Sequence, residues 1–219
     1  EKIALHAEKM IVEGASIIDI GAVSTRPGAQ KISTDVELQK LIPAITAVRS
    51  YFPEIIISAD TYNSKAAHKA IEAGADIIND VSCGTADEKM MDTVAKLNVP
   101  YIIMHMKGNP ETMQHNPFYD NVVAEVMNFF IHQTNLAISK GITQIIIDPG
   151  FGFGKTPEHN YQLLNNLSKF KKLGFPVLAG MSRKSMINKV IGTKPGDSLN
   201  GTTSVNTIAL MNGANILLV

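Results

Sequence analysis

Five times along the 219 residues, a stretch with helical spacing of apolar side chains stops at a glycine and gives way to a short apolar run. Gly14 precedes Ile17-Ile18-Asp19-Ile20, Gly74 precedes Asp76-Ile77-Ile78, and Gly141 precedes Ile145-Ile146-Ile147. Gly174 precedes Pro176-Val177-Leu178, and Gly213 precedes Ile216-Leu217-Leu218. Glycine ends helices because it accepts the left-handed backbone of the residue after the last turn. Short, near-continuous apolar runs are what strands covered on both faces of a parallel sheet require. The pattern predicts strict alternation, with strands at about 16–21, 55–60, 76–80, 99–104, 144–148, 176–181 and 215–219. Helices are predicted over 1–13, from 34, and over 64–73, 87–97, 120–139, 158–173, 184–191 and 198–212.

Helix starts are marked as well. Thr34-Asp35-Val36-Glu37 and Thr85-Ala86-Asp87-Glu88 match the capping box, and Thr156 with Pro157 reads as an N-cap followed by a first-turn proline. The fold class that follows is α/β, a (β/α)8 TIM barrel rather than an open doubly wound sheet. No dinucleotide-type glycine fingerprint opens a first unit, and polar groups sit at almost every strand end instead of at one switch point. Residues 1–219 read as a single barrel domain lacking its first strand and the end of its last, truncated at both ends.

Composition narrows the function. Twenty basic residues balance twenty acidic ones, so there is no electrostatic footprint for nucleic acid or an anionic membrane. The single cysteine, Cys83, excludes an internal disulfide framework, fits a cytoplasmic protein, and reads as structural. No apolar run is long enough for a membrane-spanning helix.

The richest stretch is Asp148-Pro149-Gly150-Phe151-Gly152-Phe153-Gly154-Lys155-Thr156, directly after the apolar run 145–147. Its last three residues fit the end of a phosphate-cradling loop, but that motif's first glycine position holds Pro149, and the dinucleotide fingerprint fails too. Alternating glycine and phenylalanine lets the backbone approach something flat and keeps aromatic faces available, which reads as a flexible pocket wall.

In a barrel the C-terminal strand ends and the loops after them converge on one face. The polar residues there are Ser24-Thr25-Arg26-Pro27, Asp60-Thr61, Asn79-Asp80, Met104-His105-Met106, Asp148 and Ser182-Arg183-Lys184-Ser185. Two carboxylates and an amide, Asp60, Asn79 and Asp148, suit a flat heterocycle rich in N–H groups, although each alone could equally cap a helix. Arg183-Lys184, with Ser182 as N-cap, favours an anion or an electron-rich ring edge. His105 reads as structural or supporting, since neither it nor His159 has a partner at metal-ligand spacing. Met104 and Met106 read as packing.

Assembled, these segments resemble dihydropteroate synthase, a folate-pathway enzyme family inhibited by sulfonamides. The resemblance is carried by Ser24 through Ala29, Asp60-Thr61-Tyr62, Ile77 through Asp80, Met104-His105-Met106, Gly108-Asn109-Pro110, Thr112-Met113-Gln114, Asp148 through Lys155 and Ser182 through Ser185. It implies condensation of (7,8-dihydropterin-6-yl)methyl diphosphate with 4-aminobenzoate, giving 7,8-dihydropteroate and diphosphate. By residue, it implies a pterin site of Asp60, Asn79, Met104, Asp148, Phe153, Gly180 and Lys184, with Asp60, Asp148 and Lys184 catalytic. It implies a 4-aminobenzoate site of Thr25, Arg26, Pro27, Phe153, Lys184 and Ser185. Magnesium is expected to assist departure of the diphosphate, with its ligands in family segments that these residues do not include. The expected partners are the two small molecules and a second copy in a homodimer. The family's Gly-Gly-Glu before Ser-Thr-Arg-Pro is replaced here by Gly21-Ala22-Val23. Two rivals stand beside this reading: a corrinoid-linked pterin methyltransferase domain, against which the Ser24–Pro27 and Ser182–Ser185 segments argue, and a non-catalytic barrel.

Overall fold

The structure, a computed structural model, describes residues 2–24, 32–108, 113 and 116–219. Its helices are α1 (Lys2–Val12), α2 (Thr34–Tyr51), α3 (Ser64–Glu72), α4 (Met90–Leu97), α5 (Val122–Ser139), α6 (Pro157–Asn165), α7 (Ser185–Ile191) and α8 (Leu199–Met211). Its strands are β1 (Ile17–Gly21), β2 (Ile56–Asp60), β3 (Ile77–Asp80), β4 (Tyr101–Met104), β5 (Ile145–Asp148), β6 (Leu178–Ala179) and β7 (Ile216–Leu217). Each predicted strand is present. All five helix-closing glycines have positive φ, between 79° and 109°. Before β4, where no glycine stands, Asn98 closes α4 at φ 52° and ψ 45°. Asparagine is the residue besides glycine that tolerates this conformation best.

The chain forms two compact units. The first holds α1–α4, β1–β3, the start of β4 and Ala137–Gln144. Here β1 pairs in parallel with β2, Ile17 facing Ile56 and Gly21 facing Asp60, and β2 with β3, Asp60 facing Asn79. Ile78 N–H donates to the Pro100 carbonyl, and Tyr101 N–H to that of Gln144, extending the parallel ladder. Ile57, Ile78 and Tyr101 are fully buried, with Leu41, Ile45 and Val48 of α2 and Ala66, Ala67 and Ala70 of α3 packed over the strands. Alanines on α3 let the helix lie close.

The second unit holds the end of β4, α5 up to Leu136, and Ile145–Val219. His105 N–H donates to the Asp148 carbonyl, Ile147 bridges in parallel to Val177, and β6 pairs in parallel with β7. Phe130, Phe151, Leu163, Phe170 and Met181 are among its fully buried large side chains. Within the described residues no helix is long and apolar enough to cross a membrane.

Four local expectations are corrected. Ser33, not Thr34, caps α2, accepting from Val36 N–H, so Glu37 is one position too far along to close a capping box. Thr85–Glu88 lies in turns, and α4 begins only at Met90; Asp87 instead accepts from the backbone of Ser64 and Lys89. The helix predicted over 158–173 stops at Asn165 and continues as a 3₁₀ segment, Leu167–Leu173. Ser182 does not cap α7, whose N-cap is Lys184 with no side-chain capping bond. Thr156 caps α6 as predicted, and His159 completes a capping box by accepting from Thr156 N–H.

Candidate active site

Each unit carries part of the predicted set. In the first, register places Gly21, Asp60 and Asn79 side by side at the ends of β1, β2 and β3. Gly21 makes room for its neighbour: a Cβ there would lie 3.1 Å from Asp60 Cβ and 3.2 Å from Oδ2. Asn79 is buried and reaches Asp19 of β1 through Nδ2, at 3.4 and 3.5 Å from the two carboxylate oxygens.

The aspartates around it are treated differently. Asp80 accepts from Ser82 N–H (2.8 Å) and hydroxyl (2.7 Å), Gly84 N–H (2.7 Å) and the Tyr101 hydroxyl (2.6 Å). It is a saturated anchor for the turn after β3. The Asp60 carboxyl has no hydrogen-bond partner among the described residues. Burial pushes its carboxyl well above the ordinary range, and the charges of Asp19, Asp80 and Glu37 push the same way. A carboxyl left bare beside three acids is poised for a ligand bearing N–H donors or positive charge.

In the second unit Met104 ends β4 and is buried, Asp148 ends β5, and Gly180 follows β6, also buried. Asp148 accepts one bond, from Gly150 N–H at 2.8 Å. Burial raises its carboxyl, opposed by the positive charge of Lys184, the Gly150 N–H and the charge of Lys155. Lys184 turns back from the start of α7, donating to the Phe151 carbonyl at 2.6 Å with Nζ 4.8 Å from the centre of the Phe153 ring. A Cβ on Gly152 would meet Lys184 Cδ at 3.3 Å, and one on Gly180 would lie 3.8 Å from Nζ. Gly152 leaves room for that side chain, whereas a Cβ on Gly180 would make only ordinary contact with it. Burial lowers the Lys184 ammonium, and Asp148 partly restores it.

The loop 150–154 was expected to be flexible; it is held almost atom by atom. Gly152 N–H donates to Asn160 Oδ1 (2.8 Å), and the Gly154 carbonyl accepts from the Tyr119 hydroxyl (2.8 Å). Lys155 binds the carbonyls of Gly150 (2.9 Å) and Phe153 (3.0 Å). Ser185 is exposed at the first residue of α7, and Arg183, at φ 56°, is exposed as well. Thr25, Arg26 and Pro27 lie outside the described residues. His105 is buried against Lys155, and burial pushes its imidazole down to about 2, so it stays neutral as a supporting group. Cys83 is buried and its thiol is pushed up by burial and by Asp80, consistent with a structural role.

Asp19, Glu37, Thr61 and Lys155 stand in the sequence motifs but were given no individual role in the site. Asp19 was visible as a carboxylate inside an apolar run, and Lys155 as the tail of the rejected phosphate-loop motif. Glu37 looked like a cap, and only the fold turns it inward.

Acid and amide side chains at the C-terminal ends of parallel strands, each followed by a helix, define a small-molecule enzyme of the α/β barrel class. The family model described as "Pterin binding enzyme" matches residues 1–219. The dihydropteroate synthase of Haemophilus influenzae is 44% identical over 219 residues, covering 99% of this chain and 79% of that protein. The Yersinia pestis dihydropteroate synthase solved with a sulfonamide drug superposes with a TM-score of 0.94 at 38% identity, covering 97% of this chain and 78% of that one. The Xanthomonas albilineans enzyme solved with 4-aminobenzoic acid gives 0.92 at 38% identity, covering 98% and 77%. The chain belongs to the pterin-binding enzyme family, among the dihydropteroate synthases, and its fold is that of the (β/α)8 barrel, of which the described residues form seven strands.

Proposed function

We propose that this chain condenses (7,8-dihydropterin-6-yl)methyl diphosphate with 4-aminobenzoate to 7,8-dihydropteroate and diphosphate, with Asp60, Asn79 and Asp148 holding the pterin and Lys184 beside it. The observation that carries the assignment of residues is the contrast between Asp80, whose carboxylate accepts four hydrogen bonds, and the carboxyls of Asp60, half-buried with none among the described residues, and Asp148, buried with one. Buried polar groups are normally satisfied. Those left short at strand ends are where ligand donors belong.

The C–O bond to the pterin methylene breaks with its electron pair leaving on diphosphate. The resulting pterin cation gains from fixed carboxylates already in place, so little reorganisation is needed as charge develops. The amine of 4-aminobenzoate then attacks the methylene carbon and releases a proton. Asp60 gains most from that charge, because its ionised form is costly in the empty site. Phe153 and Lys184 face each other, and with Ser185, Thr25, Arg26 and Pro27 they form the 4-aminobenzoate side of this reading. Met104 and Gly180 complete the pterin wall.

Magnesium belongs to the proposal as companion of the leaving diphosphate. Among the described residues no three acidic, histidine or cysteine side chains are grouped to hold a metal ion, and no step here runs through one. A homodimer in the cytoplasm, with residues 1–219 as one pterin-binding domain, completes the reading.

The test is diphosphate release by the purified protein, measured with and without 4-aminobenzoate and followed by detection of dihydropteroate. Turnover that depends on both substrates is expected. Pterin binding without turnover would favour the non-catalytic barrel.

A further inference from the structure

Lys155 is 3% exposed, and its Nζ lies within hydrogen-bond distance of four acceptors. These are the carbonyls of Gly150 (2.9 Å), Phe153 (3.0 Å) and His105 (3.2 Å), and His105 Nδ1 (2.9 Å). None belongs to a carboxylate, so this is not an ion pair of the usual kind. A lysine placed only to fill space would be replaced at no loss by an apolar chain, whereas here an apolar chain would take from the buried His105 carbonyl and from the Phe153 carbonyl the lysine donor each has, and leave the Gly150 carbonyl with the Phe153 N–H alone.

Two of those carbonyls belong to the loop between Asp148 and α6. Phe151, between them, offers its own carbonyl to Lys184, and Phe153 offers its ring to the same Nζ. His105, neutral and edge-on to Phe129 at 4.9 Å, is fixed in turn, so its Nδ1 accepts without competing for the proton. The Tyr119 hydroxyl and the Asn160 amide hold the remaining loop groups from outside. The whole arrangement is within one compact unit.

We propose that Lys155 is a positioning residue for the reaction: its Nζ clamps the Gly150 and Phe153 carbonyls and thereby sets where Phe153 and the Phe151 carbonyl meet Lys184. This rests on the reading of Phe153 and Lys184 as pocket residues. Lys155 itself touches neither substrate. It sits beneath the loop and acts through it.

The experiment compares Lys155→Met, which keeps length and volume but removes the donors, with Lys155→Arg, which keeps donors and charge. Lost hydrogen bonds of this kind correspond to roughly tenfold or more in affinity. Lys155→Met should raise KM for 4-aminobenzoate by about tenfold with kcat at saturation within about threefold, and Lys155→Arg should recover part of the loss. A purely structural role would instead lower the active fraction, reducing kcat with KM unchanged, and that result overturns the proposal. Lys184→Met is run alongside. An impaired Lys184→Met with a normal Lys155→Met sinks the clamp alone, and an unimpaired Lys184→Met sinks the pocket reading. Should neither Lys155 variant fold, amide exchange of the ligand-free wild-type protein decides: Gly150, Gly152 and Phe153 N–H should exchange slowly, and exchange at the rate of an open loop would show that nothing is clamped.

Discussion

The hydroxyl of Thr61 donates to the buried carboxylate of Glu37 at 2.5 Å, tying the residue after Asp60 to the first turn of α2. Thr61 N–H also binds the Asn79 carbonyl at 3.0 Å, so one residue joins the helix and two strand ends that carry site groups. Thr61→Val keeps the shape and removes the donor. A hydrogen bond to a charged group is worth about 1.5–3 kcal/mol, and the variant should lose that much in urea denaturation at neutral pH.

The loss should shrink in acid. Burial raises the Glu37 carboxyl above its unfolded value, and Thr61 pulls it down. A raised group favours folding below its unfolded pKa and loses that contribution as pH rises through the folded value. The Thr61 bond serves the ionised form, so its removal costs most above that value. An equal loss at pH 4 and pH 8 would contradict the assignment.

Asp60→Asn should separate stability from binding. With the carboxyl raised by burial first and by Asp19, Asp80 and Glu37 after it, ionised Asp60 weakens the empty fold at neutral pH. The native state holds the proton that the unfolded chain has released, so stability falls as pH rises through the folded value. Asparagine carries no such cost. The variant should therefore melt higher than wild type at pH 8, match it in strong acid, and bind pterin more weakly by calorimetry. A lower melting temperature at pH 8 would mean that Asp60 has partners the fold depends on.

How much of this was written in the residues can be seen element by element. Glycine closures and apolar runs located all seven strands, because both signals are local and backbone-level. The places of Asp60, Asn79 and Asp148 at or beside strand ends were legible for the same reason: a polar residue closing an apolar run in a parallel sheet marks where the strand stops. Glu37 and Glu88 were misread because a carboxylate three residues after a threonine looks like a cap, whether it turns across to Thr61, as Glu37 does, or lies in a turn before its helix begins, as Glu88 does. Lys155 was legible as a residue, but what it holds was not, for a related reason. Its acceptors are backbone carbonyls, including His105 from 50 residues earlier, and carbonyls leave no mark in a sequence.

Asp148→Asn should weaken pterin binding without unfolding the protein. One carboxylate oxygen is engaged by Gly150 N–H, so the other is available to a ligand. An amide replaces one acceptor by a donor, and a ligand edge with two N–H groups then meets a mismatch. About 1.5–3 kcal/mol, or roughly ten- to a hundredfold in Kd, is expected by calorimetry with a pterin ligand. Unchanged affinity in a folded variant would take Asp148 out of the pocket.

Gly21→Ala probes the site through a residue that bears no chemistry. Gly21 is not in the left-handed region, so alanine meets no backbone strain there, and in a strand it should add about 0.5–1 kcal/mol of stability if it fits. Its Cβ, however, would stand 3.1 Å from Asp60 Cβ and 3.2 Å from Oδ2, closer than comfortable contact. The Asp60 carboxyl has no hydrogen bond among the described residues to resist displacement, so the side chain, rather than the strand, should yield. The expected outcome is a protein that denatures within about 1 kcal/mol of wild type yet binds pterin roughly tenfold more weakly, since small misplacements of a binding group are costly. Wild-type pterin affinity in Gly21→Ala would show that the position of Asp60 beside β1 does not matter to the ligand, and the bare carboxylate would then need another explanation.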